Sequence, residues 1–185
     1  DAAPTPRGFD ARQDLLFVGT VHGPDSPNAD SVRWFARHVL PIVRSELGDG
    51  VKLLVAGEGS SDFFSGLNNG SVKVLGRVDE LAELYDRARL FVAPTRFSAG
   101  IPLKVLGAAA HGLPVVATRL LGKQLGWVGG EELLLADGTE DFAAACVRLY
   151  RDPVLWYKMR ENALRRIEAD CSPSQFSDRV KAILA

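Results

Sequence analysis

The chain has 185 residues, of which 46% are hydrophobic and 24% are charged, and this length suits one domain that buries about 70% of its unfolded surface. The 22 Lys and Arg residues against 23 Asp and Glu residues give a formal charge of −1, which excludes a wholly basic surface for nucleic acid or an anionic membrane. Two cysteines, Cys146 and Cys171, exclude a disulfide framework or a four-ligand zinc site, and no apolar stretch approaches the ~20 residues of a membrane-spanning helix. A reduced, cytoplasmic globular domain without nucleic-acid or membrane contact is therefore expected.

Residues 1–13 open the chain with two prolines, a glycine and mixed charges but no apolar period. This segment is predicted to be a linker or an incoming strap and not part of the core. Six short apolar runs follow, most of them continuous rather than alternating, which is typical of strands covered on both faces. Strands are predicted at residues 15–18, 52–56, 72–75, 90–93, 115–117 and 133–136.

Helical patterns lie between these runs, at residues 31–46, 79–89, 101–111 and 139–151, and again from Pro153 onward. Pro41 predicts a kink or break in the first helix, and Asp79 is the candidate N-cap of the second. Gly112 is a stop signal for the third. The alternation predicts an α/β fold, namely a Rossmann-like doubly wound sheet of about six parallel strands with helices on both faces and a helical C-terminal tail.

Three glycine-bearing turns follow predicted strands, at the sheet edge where α/β proteins bind ligands. They are FVGTVHGPDSPN with Gly19 and Gly23, VAGEGSS with Gly57 and Gly59, and PTRFSAGIPLK with Gly100. Glycine lets the backbone approach a ligand, and amides at a helix start favour phosphate oxygens. Each turn taken alone is most often only a turn, but three at one edge favour a binding site. Neither a Walker loop nor the spaced three-glycine dinucleotide fingerprint is present in the sequence.

The third turn combines several features that suit a diphosphate. Its last residues lead into the predicted helix start: Ser98, Ala99, Gly100, Ile101 and Pro102. Lys104 lies in the first turn of that helix, and Arg96 lies just upstream as a further donor. The alternative for Lys104 is a solvated surface lysine. Among the histidines, His22 in the first glycine turn is the one site candidate.

The string PTRFSAGIPLKVLGAAAHGLPVVAT resembles the donor-binding C-terminal half of GT-B glycosyltransferases, in the large retaining group that includes sucrose and glycogen synthase-like enzymes. Other segments are similar in the same order: LLFVGTVHGPDSPNADSVRWFARHVLPIV, VKLLVAGEG, VKVLGRVDELAELYDRARLFVAPTRF and the closing helices from LLLADGTEDF onward. The likeness covers about residues 14–180 and is specific for the fold when its pieces are taken jointly.

This resemblance implies that residues 14–185 form a single Rossmann-like domain that binds a nucleoside-diphosphate sugar as substrate, without a metal or another cofactor. An N-terminal acceptor-binding domain, joined through residues 1–13, would complete a retaining glycosyltransferase that transfers a hexose-type sugar. The acceptor and several catalytic groups would come from that other domain. The domain alone is therefore not expected to be active, and no catalytic residue is assigned within it.

The resemblance also implies roles for particular residues. The loop of Gly19 and Thr20 would approach the diphosphate, Gly57 would line the cleft, and Arg77 would lie where such enzymes hold the base through main-chain groups. Backbone amides would be presented to the sugar and phosphates by Ser98, Ala99, Gly100, Ile101, Pro102 and Leu103, with Lys104 as electrostatic support and Arg96 nearby.

Two positions depart from the family pattern. Family members usually carry two glutamates eight positions apart, the first touching the sugar and the second holding the ribose, and here these positions are Ala99 and Gly107. Replacement of the first is common in the branch with an R-F-x-A-G loop. Gly107 cannot accept hydrogen bonds from ribose hydroxyls, and a glycine inside a helix costs about 1 kcal/mol relative to alanine.

Three explanations of Gly107 stay open at this point: another group contacts the ribose, the donor is different, or activity has been lost. The alternative prediction is therefore a degenerate, non-catalytic binding or scaffolding module of the same fold. A sugar-nucleotide epimerase of related build is a third alternative, and the missing dinucleotide fingerprint disfavours it.

Overall fold

A computed structural model describes residues 3–98 and 100–171, apart from the side chains of Ser61, Asp62 and Cys171. Six parallel strands form one sheet in the order β3-β2-β1-β4-β5-β6. The strands are β1 Gln13–Val18, β2 Leu53–Ala56, β3 Val72–Gly76, β4 Ala88–Ala93, β5 Val115–Ala117 and β6 Leu134–Leu135. Each predicted strand is present, with its ends displaced by at most two residues. The prediction of a six-stranded parallel sheet is confirmed.

Helices cover both faces of this sheet, which explains why the strand sequences are continuously apolar. They are α1 Pro27–Trp34, α2 Leu40–Leu47, α3 Ser61–Ser65, α4 Leu81–Arg87, α5 Leu103–Ala110, α6 Arg119–Leu125, α7 Thr139–Arg151 and α8 Pro153–Cys171. One core layer packs α1, α2, α3 and α7 on one face and joins Phe35 and Val43 to Phe142. The other packs α4, α5 and α6 on the opposite face, through Tyr85 and Val105, and α8 contributes to both layers. In the described part of the chain, no helix is both long and apolar enough to cross a membrane.

The first predicted helix runs through Pro41 without breaking. Residues Phe35–Val39 form a π-helical turn between α1 and α2, in which the N–H of Leu40 donates to the carbonyl of Phe35. Because Pro41 has no N–H, it cannot bond the carbonyl of Arg37 as a regular helix requires. The wider turn absorbs this defect, and the axis continues to Leu47.

Three predicted helix starts are wrong. The first helix begins at Pro27, four residues before the predicted start at residue 31, with Ser26 as its N-cap. Asp79 is not an N-cap, because its carboxylate accepts from Nε of Arg77 at 3.3 Å, and α4 starts after Glu80 without a side-chain cap. Helix α5 begins at Leu103, since Pro102 takes a non-helical conformation as its N-cap. The predicted stop is in place, and Gly112 has a left-handed φ of +68°.

The N-terminal segment belongs to the core, so the prediction that it lies outside the core is wrong. Phe9 is 7% exposed and Arg12 is 0% exposed. The Arg12 guanidinium donates to the carbonyl of Tyr85 at 2.5 Å, to that of Ala88 at 3.2 Å and to the hydroxyl of Thr5 at 2.7 Å. Burial lowers the pKa of Arg12 to about 10. The segment is a strap that packs against α4 and β4, held by an arginine that a composition argument assigns to the surface.

Candidate functional site

A cleft of about 280 Å³ opens at the carboxyl edge of the sheet, between the loop after β1 and the start of α5. Strands β1 and β4 are neighbours, but the helices that follow them lie on opposite faces, and ligands bind at such switch points. This α5 cleft is lined by Thr20, His22, Ser26, Pro27, Asn28, Thr95, Ser98, Gly100, Ile101, Pro102, Leu103, Lys104 and Leu121. Residues predicted from two separate turns therefore meet in one cavity.

Lys104 points into the α5 cleft rather than into solvent. Its Nζ donates to Oδ1 of Asn28 and lies 4.9 Å from the centre of the Phe17 ring. Burial lowers the pKa of Lys104 to about 8. An ammonium group in this half-buried position has lost much of its water, so it gains more from an anion than a surface lysine does.

Asn28 is a site residue that the sequence analysis missed. It lies in the first turn of α1, and its Nδ2 donates to the carbonyl of Thr20 at 2.7 Å. A Cβ on Gly19 would lie 2.8 Å from this Nδ2, so glycine at position 19 leaves room for the asparagine. Its place after Pro27 at the start of a helix was a usable signal, because polar residues in a first turn lie at the ligand-binding edge.

The backbone ahead of α5 presents some but not all of the predicted amides. In residues 3–98 and 100–171, the N–H groups of Gly100, Ile101 and Lys104 have no protein acceptor. Leu103 is a correction, since its N–H donates to the carbonyl of Ile101 at 2.9 Å, and Pro102 has no N–H to offer. The side chains of Ile101 and Leu103 are 69% and 71% exposed, so they form the rim of the cleft.

The loop before α5 is tethered to α6. Nε2 of Gln124 donates to the carbonyl of Ser98 at 3.1 Å, and the Thr118 hydroxyl donates to the carbonyl of Thr95 at 2.6 Å. Gln124 and Thr118 were missed because α6 has only seven residues, too few to show a clear apolar period. Ser98 is thus positioned by α6 as well as by β4.

A second cavity of about 300 Å³ lies beside the first and shares Thr20 with it. This Gly57 cleft is lined by Val18, Gly19, Thr20, Gly57, Glu58, Arg77, Val78 and Leu81. Arg77 and Glu58 form an exposed ion pair at 3.0 Å on its wall. The two predicted residues Gly57 and Arg77 therefore lie at one end of a continuous surface, and Lys104 lies towards the other.

Two predicted site residues, Arg96 and Gly107, line neither cleft. Arg96 is paired with Asp30, at 2.9 Å from Nε to Oδ2, and its guanidinium lies 5.5 Å from the centre of the Trp34 ring. Gly107 lines neither cleft, and its carbonyl lies 2.8 Å from Nδ1 of His111. Ala99 lies outside the described residues.

Metal ligands are not grouped in this region. Among the described residues, no three His, Cys, Asp or Glu side chains come close enough together to hold a metal ion. The groups available to a ligand are an ammonium, backbone amides and small polar side chains, which together favour a phosphorylated ligand.

The sheet order and the cleft at its switch point define a Rossmann-like α/β domain with a cleft at the carboxyl edge of its sheet. A family model described as "Glycosyl transferases group 1" matches residues 12–152. The chain belongs to this family, and the predicted resemblance to the C-terminal domain of a GT-B glycosyltransferase is confirmed.

Several known proteins are similar to this chain. A 44.6-kDa protein in the cps region of Klebsiella pneumoniae is 29% identical over 139 residues, which cover 70% of this chain and 35% of that protein. The C-terminal domain of LpcC, a group 1 glycosyl transferase family protein from Francisella tularensis, matches with a TM-score of 0.72 and 16% identity over 93% of this chain and 96% of that one. TarM of S. aureus has a TM-score of 0.77 and 16% identity over 98% of this chain and 37% of its own. The chain thus spans about a third of the longer proteins that it matches.

Proposed function

We propose that this domain binds the nucleoside-diphosphate sugar of a glycosyltransferase. Joined to an N-terminal acceptor-binding domain, it contributes to the transfer of a hexose-type sugar with retention of configuration. One observation carries the proposal: Lys104 lines the α5 cleft together with Gly100 and Ile101, whose N–H groups have no acceptor among the described residues. Charge-assisted hydrogen bonds from such groups suit phosphate oxygens.

The helix geometry supports binding of the diphosphate in this cleft. Helix α5 starts at Leu103, so its positive end faces the same space as the Lys104 side chain. As the sugar leaves, the bond from its anomeric carbon to the diphosphate oxygen breaks, and that oxygen gains negative charge. A cation and amides held in place before the reaction stabilise this charge without reorganising.

The Gly57 cleft supports binding of the nucleoside. It shares Thr20 with the α5 cleft, and Gly57 packs directly on the backbone of Gly19, so neither residue places a side chain there. Arg77 and Val78 stand at its far end, where a base would lie. HepE of Anabaena, whose structure was determined with UDP and glucose, matches this chain with a TM-score of 0.70 and 16% identity over 95% of this chain and 49% of its own. UDP is therefore the first nucleotide to test.

The rim supports a partner domain across the cleft. Phe97, Ile101 and Leu103 are 47%, 69% and 71% exposed, which is unusual for large apolar side chains beside a polar site. An N-terminal domain closing over the cleft would cover them. The acceptor site and the catalytic groups that this domain does not supply would then come from that partner.

Calorimetric titration of the 185-residue chain with UDP tests the proposal. We expect weak binding with release of heat, and a loss of about tenfold or more in affinity for Lys104→Ala. Lys52→Ala is the matched control, because Lys52 is exposed at the opposite edge of the sheet. If no nucleoside diphosphate binds at millimolar concentration, donor binding is rejected.

The second candidate is a non-catalytic module of the same fold, and Gly107 favours it because no carboxylate stands at the ribose position that the family uses. This candidate predicts that the chain joined to an N-terminal domain transfers no sugar. Sugar transfer by the joined protein would eliminate it.

A further inference from the structure

The Lys104 side chain is long and flexible, yet its ammonium has a fixed place. Its Nζ donates to Oδ1 of Asn28, a residue 76 positions away on the other side of the cleft. In the described residues, Lys104 has no ion pair with a carboxylate. Among the described residues, the neutral amide of Asn28 and the face of the Phe17 ring, 4.9 Å from Nζ, therefore hold the cation in the α5 cleft.

The Asn28 amide has one possible orientation. Its Nδ2 donates to the carbonyl of Thr20 at 2.7 Å, and only the amide nitrogen can donate to a carbonyl. Its Oδ1 must then face Lys104, as observed. The amide therefore links the first glycine turn, through Thr20, to helix α5, which follows the third glycine turn.

The backbone around Asn28 is itself held in place. The Ser26 side chain accepts from the N–H of Ala29 at 3.3 Å, and the Ser31 hydroxyl donates to the carbonyl of Pro27 at 2.6 Å. Asn28 thus stands on a capped first helical turn, which is a rigid support for a polar side chain.

The neutral charge of Asn28 matters for an anionic ligand. A carboxylate at this position would hold the lysine equally well but would repel phosphate and cancel the positive charge. The nearest described carboxylate on α1, Asp30, is already paired with Arg96 at 2.5 Å. The α5 cleft therefore keeps the Lys104 charge uncompensated, ready for a ligand.

We propose that Asn28 is a positioning residue that presents the Lys104 ammonium to the phosphates of the donor. The inference rests on the proposed function and deepens it, because it names the residue on which phosphate affinity depends besides the cation. Asn28 acts through Lys104, since its Oδ1 accepts from the lysine and its Nδ2 donates one of its two hydrogens to Thr20. A lysine placed in advance loses less conformational freedom when the ligand arrives.

The test is a double-mutant cycle with UDP and uridine as probes, measured by calorimetry on the 185-residue chain. Asn28→Ala should lower UDP affinity about tenfold and leave uridine affinity unchanged, because uridine has no phosphate. In the Lys104→Ala background, Asn28→Ala should have almost no further effect, since the cation it positions is gone. Asn162→Ala is the matched control on α8, because Asn162 lines neither cleft.

A second variant separates positioning from a folding defect. Asn28→Asp keeps the shape of the side chain and an oxygen facing Lys104, but it adds a charge and loses the N–H donor to Thr20. Its thermal midpoint should therefore match that of Asn28→Ala, which also lacks this donor, while it binds UDP more weakly than the natural chain. It should also move the loss of UDP binding at alkaline pH upward, because a carboxylate raises the pKa of the neighbouring lysine. His22 lines the cleft and Asp30 and Arg96 are paired beside it, so each profile is compared with that of Lys104→Ala, which retains those groups.

The outcomes are distinct. Additive effects of Asn28→Ala and Lys104→Ala, or equal losses of UDP and uridine binding, overturn the role of Asn28 while leaving donor binding intact. Failure of the natural chain to bind UDP or any other nucleoside diphosphate overturns donor binding and the role of Asn28 together. Coupled losses confined to UDP support both.

Discussion

Gly57 lies so close to Gly19 that a Cβ added at position 57 would stand 2.2 Å from the Gly19 carbonyl oxygen. Gly57 also has a φ of +141°, outside the range that other residues adopt readily. Its N–H donates to the carbonyl of Gly76 at 2.8 Å, so the turn cannot move away from β1 without losing a bond to β3. Two of the glycine turns are thereby locked together at the base of the Gly57 cleft.

Gly57→Ala should therefore lower the free energy of unfolding by about 2–4 kcal/mol, because it adds both a steric clash and backbone strain. Gly50→Ala is the matched control, since a Cβ there meets nothing within 4 Å and its φ is not left-handed. Urea denaturation measures both variants. Equal midpoints for the two would show that the turn relaxes freely and that the Gly19–Gly57 contact is not required.

The pKa of Lys104 makes nucleotide binding depend on pH. Burial lowers this pKa from 10.5 to about 8, so the ammonium of the free protein loses its proton as the pH rises above about 8. UDP should then bind more weakly by up to about tenfold per pH unit, until the pH passes the higher pKa that the bound diphosphate gives the lysine. Titrations between pH 7 and pH 10 measure this slope. A natural chain with the same slope as Lys104→Ala would contradict it.

The same lysine makes the stability of the unliganded fold rise with pH, whereas UDP binding weakens as the pH rises. Its folded pKa lies below its unfolded pKa, so between about pH 8 and 10.5 the unfolded chain binds more protons, and the contribution of this group to stability rises with pH. Lys104→Met should remove that rise, which thermal denaturation of the unliganded chain at pH 7.5 and 9.5 would detect. Lys52→Met, at an exposed site, should leave the pH dependence as it is in the natural chain.

The strands could be predicted because each buried strand needs an unbroken apolar run, as in Val115–Ala117, where prediction and structure coincide. Lys104 could be predicted as a candidate because its place in a first helical turn is a local property of the sequence. The contact between Lys104 and Asn28 could not be predicted, since the two residues are 76 positions apart and only the sheet order brings them together. The burial of Arg12 could not be predicted for a related reason. Its acceptors are backbone carbonyls of residues far away in the sequence, and such carbonyls have no sequence signature.

Gly107 offers a direct test of the family comparison. A Cβ at this position would meet only the Tyr85 hydroxyl, at an ordinary contact distance of 3.4 Å, so a larger side chain can enter. The resemblance implies that a glutamate here holds the ribose. Gly107→Glu should therefore tighten UDP binding, while 2′-deoxyuridine diphosphate should gain less because it lacks one of the hydroxyls.

Gly107→Ala is the matched control for this change. Both variants should stabilise α5 by up to about 1 kcal/mol through helix propensity, but only the glutamate should alter nucleotide affinity. Equal UDP affinities for the two variants would mean that the ribose does not lie near position 107 in this protein.

Arg12 should be required for the N-terminal strap to fold onto the domain. Arg12→Lys keeps a charge but loses the planar fork, and it leaves the carbonyls of Tyr85 and Ala88 without their buried donor. The expected cost is about 2–4 kcal/mol in the free energy of unfolding.

Arg7→Lys is the matched control, because the Arg7 side chain is 48% exposed in its ion pair with Asp86. This substitution should cost less than about 0.5 kcal/mol in the free energy of unfolding. Urea denaturation with equal midpoints for the two variants would show that the strap contributes nothing to the fold. A large difference would make the strap a structural part of the domain, so that any linker to an N-terminal domain would have to precede Thr5 rather than include Arg12.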